Sequence, residues 1–187
     1  MLRRWTAWHE EWEEDVGSIA VETSDGLVFI DPLDPPADLG PPDHVLVTVF
    51  WHGRGSSGLG AKHVWASGPA VKPLAGRGIA VTDRIGEAQL PGGIEAFPTA
   101  RRGELVYWLP EQGALAVGDV LLGAGAKPRA TGDALRLCPE RWLGKRSHDE
   151  LKESLRPLLE LPVEQVLVSH GEPVLEGGRA ALADALA

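Results

Sequence analysis

The sequence predicts a mixed α/β fold with its strands first and its helices late. Three observations carry this. Short runs of β-forming residues bounded by glycine, proline or aspartate fill the chain up to about residue 122, helical periodicity appears only from 147 onward, and two strand-like runs far apart share one pattern.

The strand candidates are VGSIAVET (16–23), GLVFID (26–31), HVLVTVFW (44–51), HVWAS (63–67), GIAVT (78–82), ELVYWL (104–109) and ALAVGDVLL (114–122). Between the first two, Ser24, Asp25 and Gly26 read as a hairpin turn in which Gly26 takes a positive φ. SHDELKESLRPLLEL (147–161) reads as a helix. Ser147 precedes Glu150 by three residues, the spacing of a capping box, and Leu151, Leu155, Leu158 and Leu159 share one face. Pro157 lacks an amide hydrogen and ends the regular ladder. EGGRAALADALA (176–187) is a second helix candidate. DHVLVT (43–48) and EQVLVSHGE (164–172) each place an acidic or polar pair before a VLV strand that runs into a hydroxyl residue and a His-containing loop. Either two similar halves each deliver a loop to a shared crevice, or two short buried strands coincide by chance.

A chain of 187 residues fits one domain, residues 1–187, and can bury a core. Its apolar fraction of 43% argues against disorder. With 18 basic and 27 acidic residues the net charge is -9, which disfavours nucleic acid and anionic membranes as partners. Cys138 is the only cysteine, so no intrachain disulfide forms. No run approaches the ~18 apolar residues of a membrane helix, and acidic residues soon follow Arg3 and Arg4 where an export signal would be apolar. The expectation is a soluble cytoplasmic protein.

Chemistry concentrates where VLVT runs into VFWHGRGSSGLG, because strands of α/β folds open at their C-terminal ends onto a crevice. Ser56 and Ser57 lie in no Gly-x-Ser-x-Gly elbow, no phosphate-loop motif occurs, and Cys138 has no identifiable base. His9, His44, His63 and His148 read most simply as surface or packing residues.

Three stretches together resemble a known family. GSIAVETSDGLVFIDP (17–32) resembles the opening hairpin of the metallo-β-lactamase fold, the four-layer αββα sandwich shared by class B lactamases, glyoxalase II and many other hydrolases. FPTARRGELVYWLPEQGALAVGD (97–119) and VLVSHGEP (166–173) follow in the order of that family, so the resemblance covers nearly the whole chain. The family's first loop reads His-x-His-x-Asp-His. The best gapless match here, His52-Gly53-Arg54-Gly55-Ser56-Ser57, keeps only the first ligand, and a register starting at Val49 keeps none. Ala100 stands where the next histidine would be, while Gly118-Asp119 matches the bridging aspartate and Ser169-His170-Gly171 the last histidine. Asp31-Pro32 also resembles a family element, with Asp31 expected to accept hydrogen bonds from the neighbouring loop.

The resemblance therefore implies a degenerate site with too few ligands for a dinuclear hydrolase centre. On the leading expectation the protein carries no cofactor and is either a metal-free binder of a small anion or a catalytically silent relative. Arg54, which cannot ligate a cation, points into the pocket and pairs with Asp119, and Arg54, Trp51 and Arg101 receive a small anionic molecule. Of the adjacent Arg101 and Arg102, only one faces the pocket, and a solvated loop is the simpler reading of the pair. The alternative is one weakly held zinc or iron on His52, Asp119 and His170, whose water attacks an ester, thioester or lactam. A third reading, from another class, is a structural protein whose exposed tryptophans anchor a homo-oligomer.

Overall fold

In the computed structural model, which describes residues 1–128 and 131–187, two sheets face each other with helices on their outer sides. Leu2–His9 (β1), Glu14–Thr23 (β2) and Gly26–Ile30 (β3) form an antiparallel meander. His44–Leu46 (β4), His63–Ala66 (β5) and Asp83–Arg84 (β6) extend it in parallel. The second sheet takes Glu95–Pro98 (β7), Leu105–Leu109 (β8) and Ala114–Val117 (β9) as antiparallel neighbours. Leu121–Gly123 (β10) and Leu135–Leu137 (β11) form a separate ribbon, and Gln165–Val168 (β12) joins the second sheet parallel to β9. The α-helices are Gly68–Ala75 (α1), His148–Leu155 (α2) and Gly178–Leu186 (α3).

Alternation along the strands sorts the apolar side chains into three layers. Ile19, Val21, Val28, Ile30 and Leu46 of the first sheet meet Leu105, Tyr107, Ala116 and Leu167 of the second between the sheets. The intervening residues Ala20, Phe29, Val45 and Val64 point the other way, onto Ala70 and Leu74 of α1. Val106, Leu115, Val117 and Val166 point outward from the second sheet, onto Leu151 and Leu155 of α2 and Leu182 of α3. This is the αββα layering that the resemblance implied.

Several elements differ from the expectation for stated reasons. β1 carries two adjacent arginines and breaks the usual pattern of a half-buried strand. Arg4 nevertheless spends its guanidinium on the carbonyls of Val168 and Gly171, and Trp5 is buried. The strand expected at 44–51 stops at Leu46 and gives way to a 3-10 turn over Phe50–Gly55. Residues 78–82 do not form a strand, and 114–122 splits at Gly118-Asp119 into β9 and β10. Two prolines and an opening glycine concealed α1. The capping box of Ser147 and Glu150 forms, α2 ends at Leu155, and a 3-10 turn containing Pro157 follows. At Gly26 the hairpin turns with φ 118.

The parallel strands β3 and β4 of one sheet and β9 and β12 of the other end at the same side of the sandwich. Asp31, Thr48, Asp119 and His170 follow those four ends.

Candidate metal centre and its cleft

The two echoed strands each deliver a histidine. After β4, the turn over Phe50–Gly55 brings His52 back beneath the sheet edge, and after β12 His170 follows directly; the two rings lie 6.0 Å apart. The turn can lie this close because of glycine at 55, where an added Cβ would come within 1.9 Å of the Pro32 carbonyl oxygen. Both rings are buried.

Each ring is held at Nδ1 by a carboxylate. His52 Nδ1 donates to Asp31 Oδ2 at 2.8 Å, and His170 Nδ1 donates to Glu14 Oε1 at 2.5 Å. Asp31 is fixed in turn by the amide of Thr48 at 2.8 Å and by the Thr48 hydroxyl, so it accepts bonds from the neighbouring loop as expected. It adopts φ 49, an uncommon conformation for a non-glycine residue, at the position where it meets His52. With one proton kept at Nδ1, Nε2 is the nitrogen of each ring that offers a lone pair whenever the imidazole is neutral.

Both Nε2 atoms face Asp119 Oδ1, from 3.0 Å for His52 and 3.2 Å for His170. Neither is aligned for a hydrogen bond, and Asp119 Oδ1 is buried without a hydrogen-bond partner. Three ligand atoms thus converge within 4.8 Å of one another around an orphaned oxygen, an arrangement that fits one metal ion. The other oxygen, Oδ2, accepts from Trp51 Nε1 at 2.8 Å and from Arg101 Nη1 at 3.2 Å. With both donors in place it has no room to bridge to a second ion, and the described residues offer no second cluster of ligands.

Glu104 holds the Asp119 loop from below. Its Oε1 accepts the amides of Asp119 at 2.6 Å and Val120 at 2.9 Å, and Oε2 lies 3.3 Å from Arg101 Nη1. Burial, together with the charge of Asp119, pushes its pKa up to about 7 against the pull of Arg101. Burial would also raise Asp119, but His52 and His170 outweigh it and hold this carboxyl well below the usual carboxylate range. Burial opposes the imidazolium of His52, yet Asp119 and Asp31 push its pKa up to about 9. His170 is likewise raised against its burial by Asp119 and Glu14.

His52, Asp119 and His170 therefore come together as the sequence implied. Arg54 enters the pocket, as expected, but does not pair with Asp119: it makes no ion pair within 4.0 Å among the described residues, and its Nε and Nη2 are buried without acceptors. Arg101 takes that role. It also lies over the Trp51 ring at 4.4 Å, which overturns the solvated-loop reading for this residue, while Arg102 is exposed as that reading had it. Ala100 packs against the outer core of the second sheet. Cys138 is buried, and burial pushes its thiol pKa up to about 12, in keeping with an unreactive cysteine.

Three residues of the site and its cleft lie outside the sequence-based expectation. Glu14 sits in a run of acidic residues with nothing to distinguish it. Glu104 could have been noticed as a carboxylate opening an otherwise apolar strand. His9, expected as a surface or packing residue, lines the cleft above Asp119 together with Trp12, Arg77 and Trp142.

No family model matches the sequence, and no curated protein matches it. Solved structures do. The metallo-β-lactamase FIM-1 from Pseudomonas aeruginosa, in its mono-zinc form, is 16% identical, with 99% of this chain and 88% of that one covered at a TM-score of 0.65. ST1585 from Sulfolobus tokodaii, described as an archaeal metallo-β-lactamase superfamily protein, is 15% identical over 99% of this chain and 84% of its own, with a TM-score of 0.67. TTHA1623 in a di-iron-bound form is 21% identical over 96% of each chain, with a TM-score of 0.60. The chain has the metallo-β-lactamase fold.

Proposed function

We propose that on this metallo-β-lactamase scaffold the chain holds a single metal ion on His52, Asp119 and His170 and acts as a mononuclear hydrolase of a small anionic ester, thioester or lactam. The observation that carries the reading is the division of Asp119: one oxygen is orphaned between two imidazole nitrogens, and the other is spent on Trp51 and Arg101. An ion bound there supplies a Lewis acid and lowers the pKa of a coordinated water.

The remaining work falls to the chain. Asp31 and Glu14 keep protons at His52 Nδ1 and His170 Nδ1, so an ion that displaces the Nε2 protons would meet a lone pair on each ring. Glu104 orients Asp119 through its backbone amide. Trp51 and Arg101 limit the site to one ion, and the same arginine carries positive charge to the rim of the cleft. A dinuclear mechanism finds no support in this ligand set, and in that sense the site is degenerate.

One observation favours a second reading, a metal-free protein that binds anions. With its pKa at about 9, His52 is a cation at neutral pH and can neutralise Asp31 and Asp119 without any metal. Elemental analysis of protein purified without chelator or metal-affinity tag separates the two readings. One zinc, iron or manganese per chain, lost in His170→Ala, supports the mononuclear site. Two ions per chain overturn it, and none after incubation with each ion leaves the metal-free reading.

A further inference from the structure

Beyond the three ligands, the site opens into a cleft of about 390 Å³, at the small end of the range for ligand pockets. Its lining is aromatic. Trp51 packs edge-on against Phe50 at 4.6 Å, and Trp12 contacts both Trp142 and His170 at 5.4 Å, so indole surface continues from the cleft to the histidine that faces Asp119. These tryptophans come from three separate parts of the chain, and all three remain partly accessible.

The charges in the cleft are unequal. Arg101 is committed to Asp119 and Glu104. Arg77 is exposed and lies over Phe50 at 5.3 Å with no ion pair among the described residues. Arg54 also lacks an ion pair, and its Nε and Nη2, the edge that meets a carboxylate at two points, have no acceptor. Two buried donors without acceptors are costly, and an anion arriving beside them relieves that cost. The lining carries two carboxylates, Asp119, which Arg101 answers, and Glu11, which stands against Arg54 and Arg77. The surplus is a single positive charge.

We propose that the cleft binds an aromatic monoanion, a planar ring bearing one carboxylate, with the ring against the tryptophans and the carboxylate on Arg54, whose guanidinium turns into the cleft to meet it. A dianion would meet Glu11 with only one surplus positive charge to answer it, and a small aliphatic anion would leave the indole surface uncovered. As an assignment of substrate class this rests on the single-metal reading. As a binding site it does not.

The test is a titration with 2-naphthoate, followed by tryptophan fluorescence and calorimetry, in chelator and again with one equivalent of zinc. Saturable binding is expected in both, with neutral 2-naphthamide, acetate and inorganic phosphate each at least tenfold weaker. Arg54→Gln, checked for native circular dichroism, is expected to lose at least tenfold in naphthoate affinity while its weak affinity for the amide is unchanged. Arg77→Gln, at an exposed position, serves as a second variant and is expected to lose a few-fold. Equal affinity for acid and amide, phosphate binding as tight as naphthoate, or no saturable binding up to millimolar concentration overturns the proposal. If zinc fails to bind but the Arg54-dependent preference for the acid persists, the metal reading has failed and this site stands. If zinc binds and the preference is absent, the reverse holds.

Discussion

Glu104 is the residue whose replacement tests the site most directly, because its two oxygens do separable things. Oε1 accepts two buried amides, those of Asp119 and Val120, and Oε2 faces Arg101. In Glu104→Ala both amides lose their acceptor, at roughly 1–3 kcal/mol each, and Arg101 loses a partner, so a destabilisation of about 3–6 kcal/mol is expected. Glu104→Gln retains an oxygen for the amides and removes only the charge. That charge is disfavoured in the folded state, since burial and Asp119 raise the pKa from 4.5 to about 7. A carboxyl raised in this way contributes stability that is fully present below its unfolded pKa and is lost as pH rises through the folded one. Over that window the parent protein should lose about 3 kcal/mol through Glu104, a loss that Glu104→Gln does not share. Urea denaturation in chelator at pH 5, 6, 7 and 8 measures this. The glutamine variant should fall below the parent at pH 5 and meet or exceed it at pH 8, with alanine below both throughout. A constant gap between parent and glutamine variant at all four pH values would refute the argument, as would equal losses for glutamine and alanine.

Other consequences are as specific. Gly55→Ala forces a methyl to within 1.9 Å of the Pro32 carbonyl oxygen and must displace the turn carrying His52; a loss of about 3 kcal/mol or more is expected in thermal unfolding, and a melting temperature within about two degrees of the parent would contradict it. By contrast Gly58→Ala, at φ 83 but with open space around it, should cost only about 1 kcal/mol in the same assay. Glu14→Gln weakens the carboxylate hold on His170 Nδ1, so zinc affinity measured by competition with a chromogenic chelator should fall roughly 10–100-fold; unchanged affinity would mean that this carboxylate does not tune the ligand. In metal-free protein His52 has its pKa raised to about 9, so its stabilising contribution is present below about 6.5 and is lost on going to pH 9. The thermal stability of His52→Gln should therefore fall less than the parent's between pH 7 and 9.

The strands of this fold were legible because they depend on local alternation, whereas its layering was implied by the family resemblance. GLVFI and VLV carry the periodicity of buried strands whatever the rest of the chain does, and the cap of α2 is written in Ser147 and Glu150. His170 and Asp119 were legible through the resemblance, since Ser169-His170-Gly171 and Gly118-Asp119 match the family's last histidine and bridging aspartate. What escaped was choice of partner. Whether Arg54 or Arg101 reaches Asp119 depends on how a six-residue 3-10 turn winds, and nothing in VFWHGRG fixes that winding. Glu14 and His170 are 156 residues apart, so no local pattern could join them. β1 was missed because its arginines look solvated until the carbonyls that receive one of them are known.

The separation of Glu14 and His170 also bears on synthesis. Of the three candidate ligands, His52 follows a strand of the first sheet, Asp119 and His170 follow strands of the second, and His170 comes after β12, the last strand among the described residues. A nascent chain can therefore complete most of the first sheet while the site does not yet exist, and a product cut short before β12 would lack both a ligand and the strand that docks against β9. A metal bound on all three would have to follow the docking of β12 on β9, so occupancy of the site would report that the second sheet has closed.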